Sequence, residues 1–120
     1  MAKVLIIDDS PSETYKLEGI LKKNGHTVIS AESAEQGVQA AKRQQPDIVL
    51  MDIVMPGLNG FQATRLLTRD KETKHIPVVM VTTKNQETDR VWGARQGAKA
   101  YLTKPVLEGD LLNTIKQFSA

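Results

Sequence analysis

The chain contains no cysteine, which excludes a disulfide framework and any cysteine-based zinc or redox site; a reducing cytoplasm is the expected setting. Aromatic residues are scarce as well, with one tryptophan, two tyrosines and two phenylalanines among 120 residues. The basic residues are scattered and few aromatics accompany them, so the formal net charge of +2 is read as solvated helix faces and no nucleic-acid partner is expected. Long hydrophobic runs are missing too. Val4-Leu5-Ile6-Ile7 ends in two aspartates, too short for a signal peptide, and nothing later approaches a membrane span. With no low-complexity tract or internal boundary, residues 1–120 are expected to form a single domain without an output domain, acting through its surface.

Short apolar runs are present instead, and they alternate with longer segments of helical periodicity. Five such βα units fit the chain, which predicts a parallel sheet in an α/β fold. The first helix opens at Ser10-Pro11-Ser12-Glu13, where Ser10 can cap, Pro11 takes the first helical position and Glu13 can close a capping box; Gly25 stops it. His26-Thr27-Val28-Ile29 reads as the second strand, and Ser33-Ala34-Glu35-Gln36 as a second capping box. Val38 and Ala41 mark the inner face of the helix that follows, and Pro46 its exit. The loop Met55-Pro56-Gly57-Leu58-Asn59-Gly60 precedes a helix beginning near Phe61. A fourth helix runs from about Asn85 to Gln96, closed by Gly97, and a last one carries Leu111, Leu112, Ile115 and Phe118 on one stripe.

The strand-like runs end in complementary polar residues. Val4-Leu5-Ile6-Ile7 leads to Asp8-Asp9, Ile48-Val49-Leu50-Met51 to Asp52, Val78-Val79-Met80-Val81 to Thr82, and Tyr101-Leu102-Thr103 to Lys104. In parallel sheets ligands bind beyond the carboxyl ends of the strands, so three carboxylates, a hydroxyl and an ammonium are expected to meet there. Crowded carboxylates repel unless a cation offsets them, and an oxygen-only donor set favours magnesium. Asp9 and Asp52 are read as direct ligands and Asp8 as acting through water. Asp52, on the strand expected at the sheet centre, is the candidate nucleophile for an acyl phosphate, with Thr82 and Lys104 holding the phosphoryl oxygens.

Each piece alone has a structural reading: Asp8-Asp9 as turn residues, Asp52 as the start of an Asx turn, Thr82 as a helix cap, Lys104 as a surface charge. The ordered set is specific. Over its whole length the chain resembles the receiver domain of bacterial two-component response regulators, the CheY-like family, on Asp8-Asp9, Asp52 with Met55-Pro56 and Gly60, Thr82, and Lys104-Pro105.

The resemblance implies a flavodoxin-like, doubly wound sheet of five parallel strands in the order 2-1-3-4-5 with five helices. It implies phosphorylation of Asp52 by a histidine kinase, with Mg2+ held by Asp8, Asp9, Asp52 and the Val54 carbonyl. Thr82 and Tyr101 match the family's switch pair, Lys104 would bind a phosphoryl oxygen ahead of a cis proline bond, and the readout surface would be the fourth helix, fifth strand and fifth helix. The stretches Asp52 to Arg65 and Thr82 to Gly93 resemble stand-alone regulators of type IV pilus twitching motility, which implies a chemotaxis-like kinase and places Trp92 on a partner surface or half-buried against the fifth strand. Two positions depart from the chemotaxis prototype: Val54 offers no side-chain hydrogen bond to an attacking water, and Lys84 puts a cation near the site mouth. Both predict slow loss of phosphate. Two rivals are a phosphorylation-independent interaction module or phosphate sink, and a Mg-dependent aspartyl-phosphate phosphatase. The phosphatase reading lacks its second aspartate, since Val54 stands two residues after Asp52.

Overall fold

The computed structural model describes residues 1–119. Five βα units follow one another: β1 (Lys3–Ile7), α1 (Pro11–Lys23), β2 (Thr27–Ala31), α2 (Ala34–Gln44), β3 (Ile48–Met51), α3 (Gly60–Arg69), β4 (Val78–Thr82), α4 (Glu87–Arg95), β5 (Ala100–Thr103) and α5 (Glu108–Phe118). All strand pairs are parallel and the sheet order is β2-β1-β3-β4-β5, as the resemblance implied.

The unbroken apolar runs follow from coverage on both faces. Val4, Ile6, Ile48, Leu50, Val79 and Val81 pack with Leu17 and Leu21 of α1 and Leu111 and Ile115 of α5. Their neighbours Leu5, Ile7, Val49, Met51, Val78 and Met80 point the other way, onto Ala34 and Ala41 of α2 and Ala63 and Leu67 of α3. Each of the largest side chains in these layers stabilises the fold by roughly 1.5–3 kcal/mol relative to exposure. Clamped on both sides, the central strands offer a rigid mount at their carboxyl ends. No helix among the described residues is long and apolar enough to cross a membrane.

Helix ends depart from the sequence reading in small, explicable ways. Ser10 caps α1 by accepting the Glu13 N–H at 3.4 Å, but its own N–H donates to Asp8 Oδ1 at 2.9 Å, so no reciprocal bond from Glu13 is made. Ser33 likewise accepts the Gln36 N–H, while the Gln36 side chain accepts from Glu32, one residue earlier than a capping box requires. The box forms at α3, where Asn59 and Gln62 bond reciprocally at 2.9 Å.

The second strand starts at Thr27, one residue later than read, because the His26 N–H is taken by the Leu21 carbonyl and the Gly25 N–H by Lys22. Gly25 sits at φ +86°, completing a Schellman ending that only glycine adopts without strain. The fourth helix starts at Glu87 and not near Asn85, with the Gln86 N–H donating to Asp89 at 3.2 Å.

Candidate functional site

Strand register brings the polar residues to one level. Ile7 pairs with Ala31 and with Met51, and the ladder runs one residue further on both sides: Asp8 N–H donates to Ala31 and Asp52 N–H to Ile7. On the other edge Thr82 pairs with Thr103, and the Lys104 N–H donates to the Thr82 carbonyl at 2.8 Å. The backbone, already fixed by the two cores, therefore aims Asp8, Asp52, Thr82 and Lys104 into one cleft. The loop after Asp52 is held close as well: a β-carbon on Gly60 would overlap the Asp52 carbonyl, so only glycine fits there.

Lys104 is the centre of the cleft. Its side chain is only 8% exposed, and Nζ lies 2.7 Å from Asp8 Oδ2 and 3.6 Å from Asp52 Oδ2. The reading of Lys104 as a solvated surface charge is thereby ruled out, and Thr82, fully buried at the end of β4, is not the cap of α4, whose N-cap is Gln86. Asp8 has both oxygens engaged, Oδ1 by the Ser10 N–H and Oδ2 by Lys104. Asp52 accepts the Ile53 N–H on Oδ1 at 2.8 Å and keeps Oδ2 turned toward Lys104. Asp9 is exposed, and Asp8, Asp9 and Asp52 each offer an oxygen within 4.8 Å of the others. The Lys104–Pro105 bond is cis.

The electrostatics follow from that crowding. Burial pushes the Asp52 carboxyl above the ordinary aspartate range; Lys104 opposes this, Asp8 adds to it, and the Thr82 hydroxyl and Ile53 N–H pull it back. Burial alone would lower the Lys104 ammonium, yet its hydrogen bond to Asp8 and the charges of Asp52 and Asp8 outweigh that, leaving it above the usual lysine value. Three carboxylates against one ammonium leave the cleft with excess negative charge and free oxygen donors on Asp9 and Asp52. That donor set fits a hard divalent cation such as magnesium.

From the cleft, a short path leads outward. The Lys84 N–H donates to Thr82 Oγ1 at 3.3 Å, and the Lys84 carbonyl accepts from the Tyr101 hydroxyl at 2.6 Å. The Lys84 ammonium is drawn to Asp89 at 4.0 Å. Val54, two residues after Asp52, is 58% exposed. Trp92 is 47% exposed, and the Arg90 guanidinium lies over the Tyr101 ring of β5.

Sequence reading missed three contributors. Ser10 and Ile53 act through backbone N–H groups, which no side-chain pattern reveals. Glu35 of α2 accepts the Leu58 N–H at 3.3 Å and pins the loop over the cleft; as an acidic residue in a first helical turn it carried no separate signal.

The raised Asp52 pKa has a consequence for stability. The folded state favours protonated Asp52, a contribution present at low pH and lost as pH rises through the folded pKa. Ionised Asp52 therefore costs stability at neutral pH. With chelator present, Asp52→Asn should be more stable than the native chain at neutral pH. Thermal denaturation should show the gap closing as pH is lowered; equal melting temperatures at neutral pH would contradict the assignment.

The response regulator receiver domain family matches residues 4–116. The chain is similar to Protein PilH of Pseudomonas aeruginosa, with 65% identity over 115 residues that span 96% of this chain and 95% of that protein. Among solved structures it is similar to chemotaxis protein CheY4 of Vibrio cholerae, with a TM-score of 0.91, 29% identity and 98% of each chain covered. It is also similar to the receiver domain of the sensor histidine kinase PA1611 of Pseudomonas aeruginosa, which has a magnesium ion coordinated in its active-site cleft; the TM-score is 0.91 at 27% identity, covering 98% of this chain and 97% of that one. With the strand order, the acidic cleft and its lysine already in place, the match over nearly the whole length means that the chain belongs to the response regulator receiver domain family.

Proposed function

We propose that this chain is a phosphoacceptor that takes a phosphoryl group on Asp52 from the phosphohistidine of a histidine kinase and signals through protein contacts. The observation that carries the reading is Lys104 set between Asp8 and Asp52 in a buried cleft, beside Thr82. A buried ammonium 3.6 Å from the candidate nucleophile is poised for the charge of a phosphoryl oxygen.

In this reading an Asp52 carboxylate oxygen attacks phosphorus, the P–N bond to the kinase histidine breaks, and an acyl phosphate P–O bond forms. Phosphoryl transfer has a loose, charge-spread transition state, so positioning and charge stabilisation supply nearly all the catalysis. The Ile53 N–H, bonded to Oδ1, fixes the carboxylate plane. Lys104 and the Thr82 hydroxyl receive the incoming phosphoryl oxygens. Asp9, Asp52 and the Val54 carbonyl would hold Mg2+, with Asp8 acting through water because both its oxygens are engaged. The ion, when bound, neutralises the carboxylates and the transferring phosphoryl group.

The chain is then a phosphoacceptor that assists its own modification and not a turnover enzyme. Thr82 and Tyr101 form its switch pair, and α4, β5 and α5 its readout surface. The similarity to PilH supports a role in type IV pilus twitching motility downstream of a chemotaxis-like kinase. Slow loss of phosphate rests in this reading on Val54 and on Lys84, whose ammonium lies 4.0 Å from Asp89.

Intact-mass spectrometry after incubation with acetyl phosphate tests the chemistry. A phosphoryl adduct should form with magnesium present, fail to form with chelator, and be absent from Asp52→Asn; no adduct on the native chain would promote the phosphorylation-independent module. For the pathway, the native gene placed in a Pseudomonas aeruginosa strain lacking PilH should restore twitching and Asp52→Asn should not. Full restoration by both would separate the output from phosphorylation.

A further inference from the structure

Tyr101 is engaged from three sides. Its hydroxyl donates to the Lys84 carbonyl at 2.6 Å, its ring lies so near Gly93 that a β-carbon there would sit 3.5 Å from Cδ2, and the Arg90 guanidinium covers the ring 4.9 Å from its centroid. Arg90 is itself aimed, because Nη2 donates to Thr103 Oγ1 at 2.9 Å. Little else fastens this part of the molecule: within α4 only Gly93 is buried. One guanidinium thus ties α4 to β5 across the tyrosine ring.

We propose that Arg90 is a positioning residue that holds Tyr101 in its docked orientation before any phosphoryl group arrives. This rests on the reading of Thr82 and Tyr101 as a switch pair and adds what sets its resting balance. The path is continuous: Thr82 bonds the Lys84 N–H, the Lys84 carbonyl holds the Tyr101 hydroxyl, and Arg90 closes over the ring from outside. An arginine suits the place better than a lysine, since its planar fork stacks on an aromatic face and donates to a hydroxyl at once. A ring swung outward would lose both the Lys84 bond and the guanidinium, so the arginine favours the docked state of a pre-existing equilibrium. A partly exposed contact of this kind shifts such a balance roughly two- to five-fold.

The test uses unphosphorylated protein with ring-13C-labelled tyrosine. Tyr15 and Tyr101 are the two tyrosines, and Tyr15 is 78% exposed, so its resonance marks the position of a solvent-facing ring. In Arg90→Ala the Tyr101 resonance should move toward that of Tyr15, with the docked-to-outward ratio reduced about two- to five-fold. Arg90→Lys, which keeps the charge and loses the fork, should recover part of the shift. An unmoved Tyr101 resonance in folded Arg90→Ala overturns the proposal; Arg90→Lys moving as far as Arg90→Ala would support it and assign the whole hold to the planar fork. Phosphorylation is not needed for this readout. A failure of acetyl phosphate to modify Asp52 would therefore sink the functional reading and leave the ring result standing.

Discussion

The contact between Lys104 and the two aspartates Asp8 and Asp52 is the constraint on which the rest of the site depends. Three carboxylates gathered at the ends of two neighbouring strands would repel, and two of them are buried. A single ammonium, itself nearly buried, answers part of that charge and leaves a remainder that fits a hard divalent cation. The doubly covered sheet serves this contact. β1 and β3, clamped on both faces, hold Asp8 and Asp52 in place although their charges oppose close approach.

The same backbone that delivers Lys104 also delivers the outward path. Lys104 N–H bonds the Thr82 carbonyl, Thr82 Oγ1 accepts from Lys84, and Lys84 holds Tyr101. Four hydrogen-bonded residues therefore join the end of β5 beside the cleft to the α4–β5 face, the route along which the proposed switch would carry a change of charge at Asp52. α4, which buries little of its own surface, is the element in which such a change is cheapest to express.

Much of the fold was legible because both faces of the sheet are covered, which turns β1, β3 and β4 into runs without a polar interruption until the functional residue. Asp8, Asp9, Asp52, Thr82 and Lys104 stood out for that reason, and register places them together. What stayed hidden depends on competition between partners. Glu13 and Gln36 carry capping-box spacing, but Asp8 takes the Ser10 N–H and the Gln36 side chain turns to Glu32. Trp92 and Arg90 were indistinguishable as exposed-helix residues, because the weak amphipathicity of α4 gives no phase to its faces; the helix rotation is decided by Gly93 seating against Met80 and Tyr101. Glu35 and the Ile53 N–H belong to the site through loop geometry that no local pattern encodes.

The Lys104 ammonium holds down the pKa of an Asp52 carboxyl that burial raises. The most direct measurement is a carboxyl 13C NMR titration of Asp52 in chelator-treated native protein and in Lys104→Met. Loss of the ammonium should raise the Asp52 pKa above its native value. A variant in which Asp52 titrates at the native pH or below it would contradict the account.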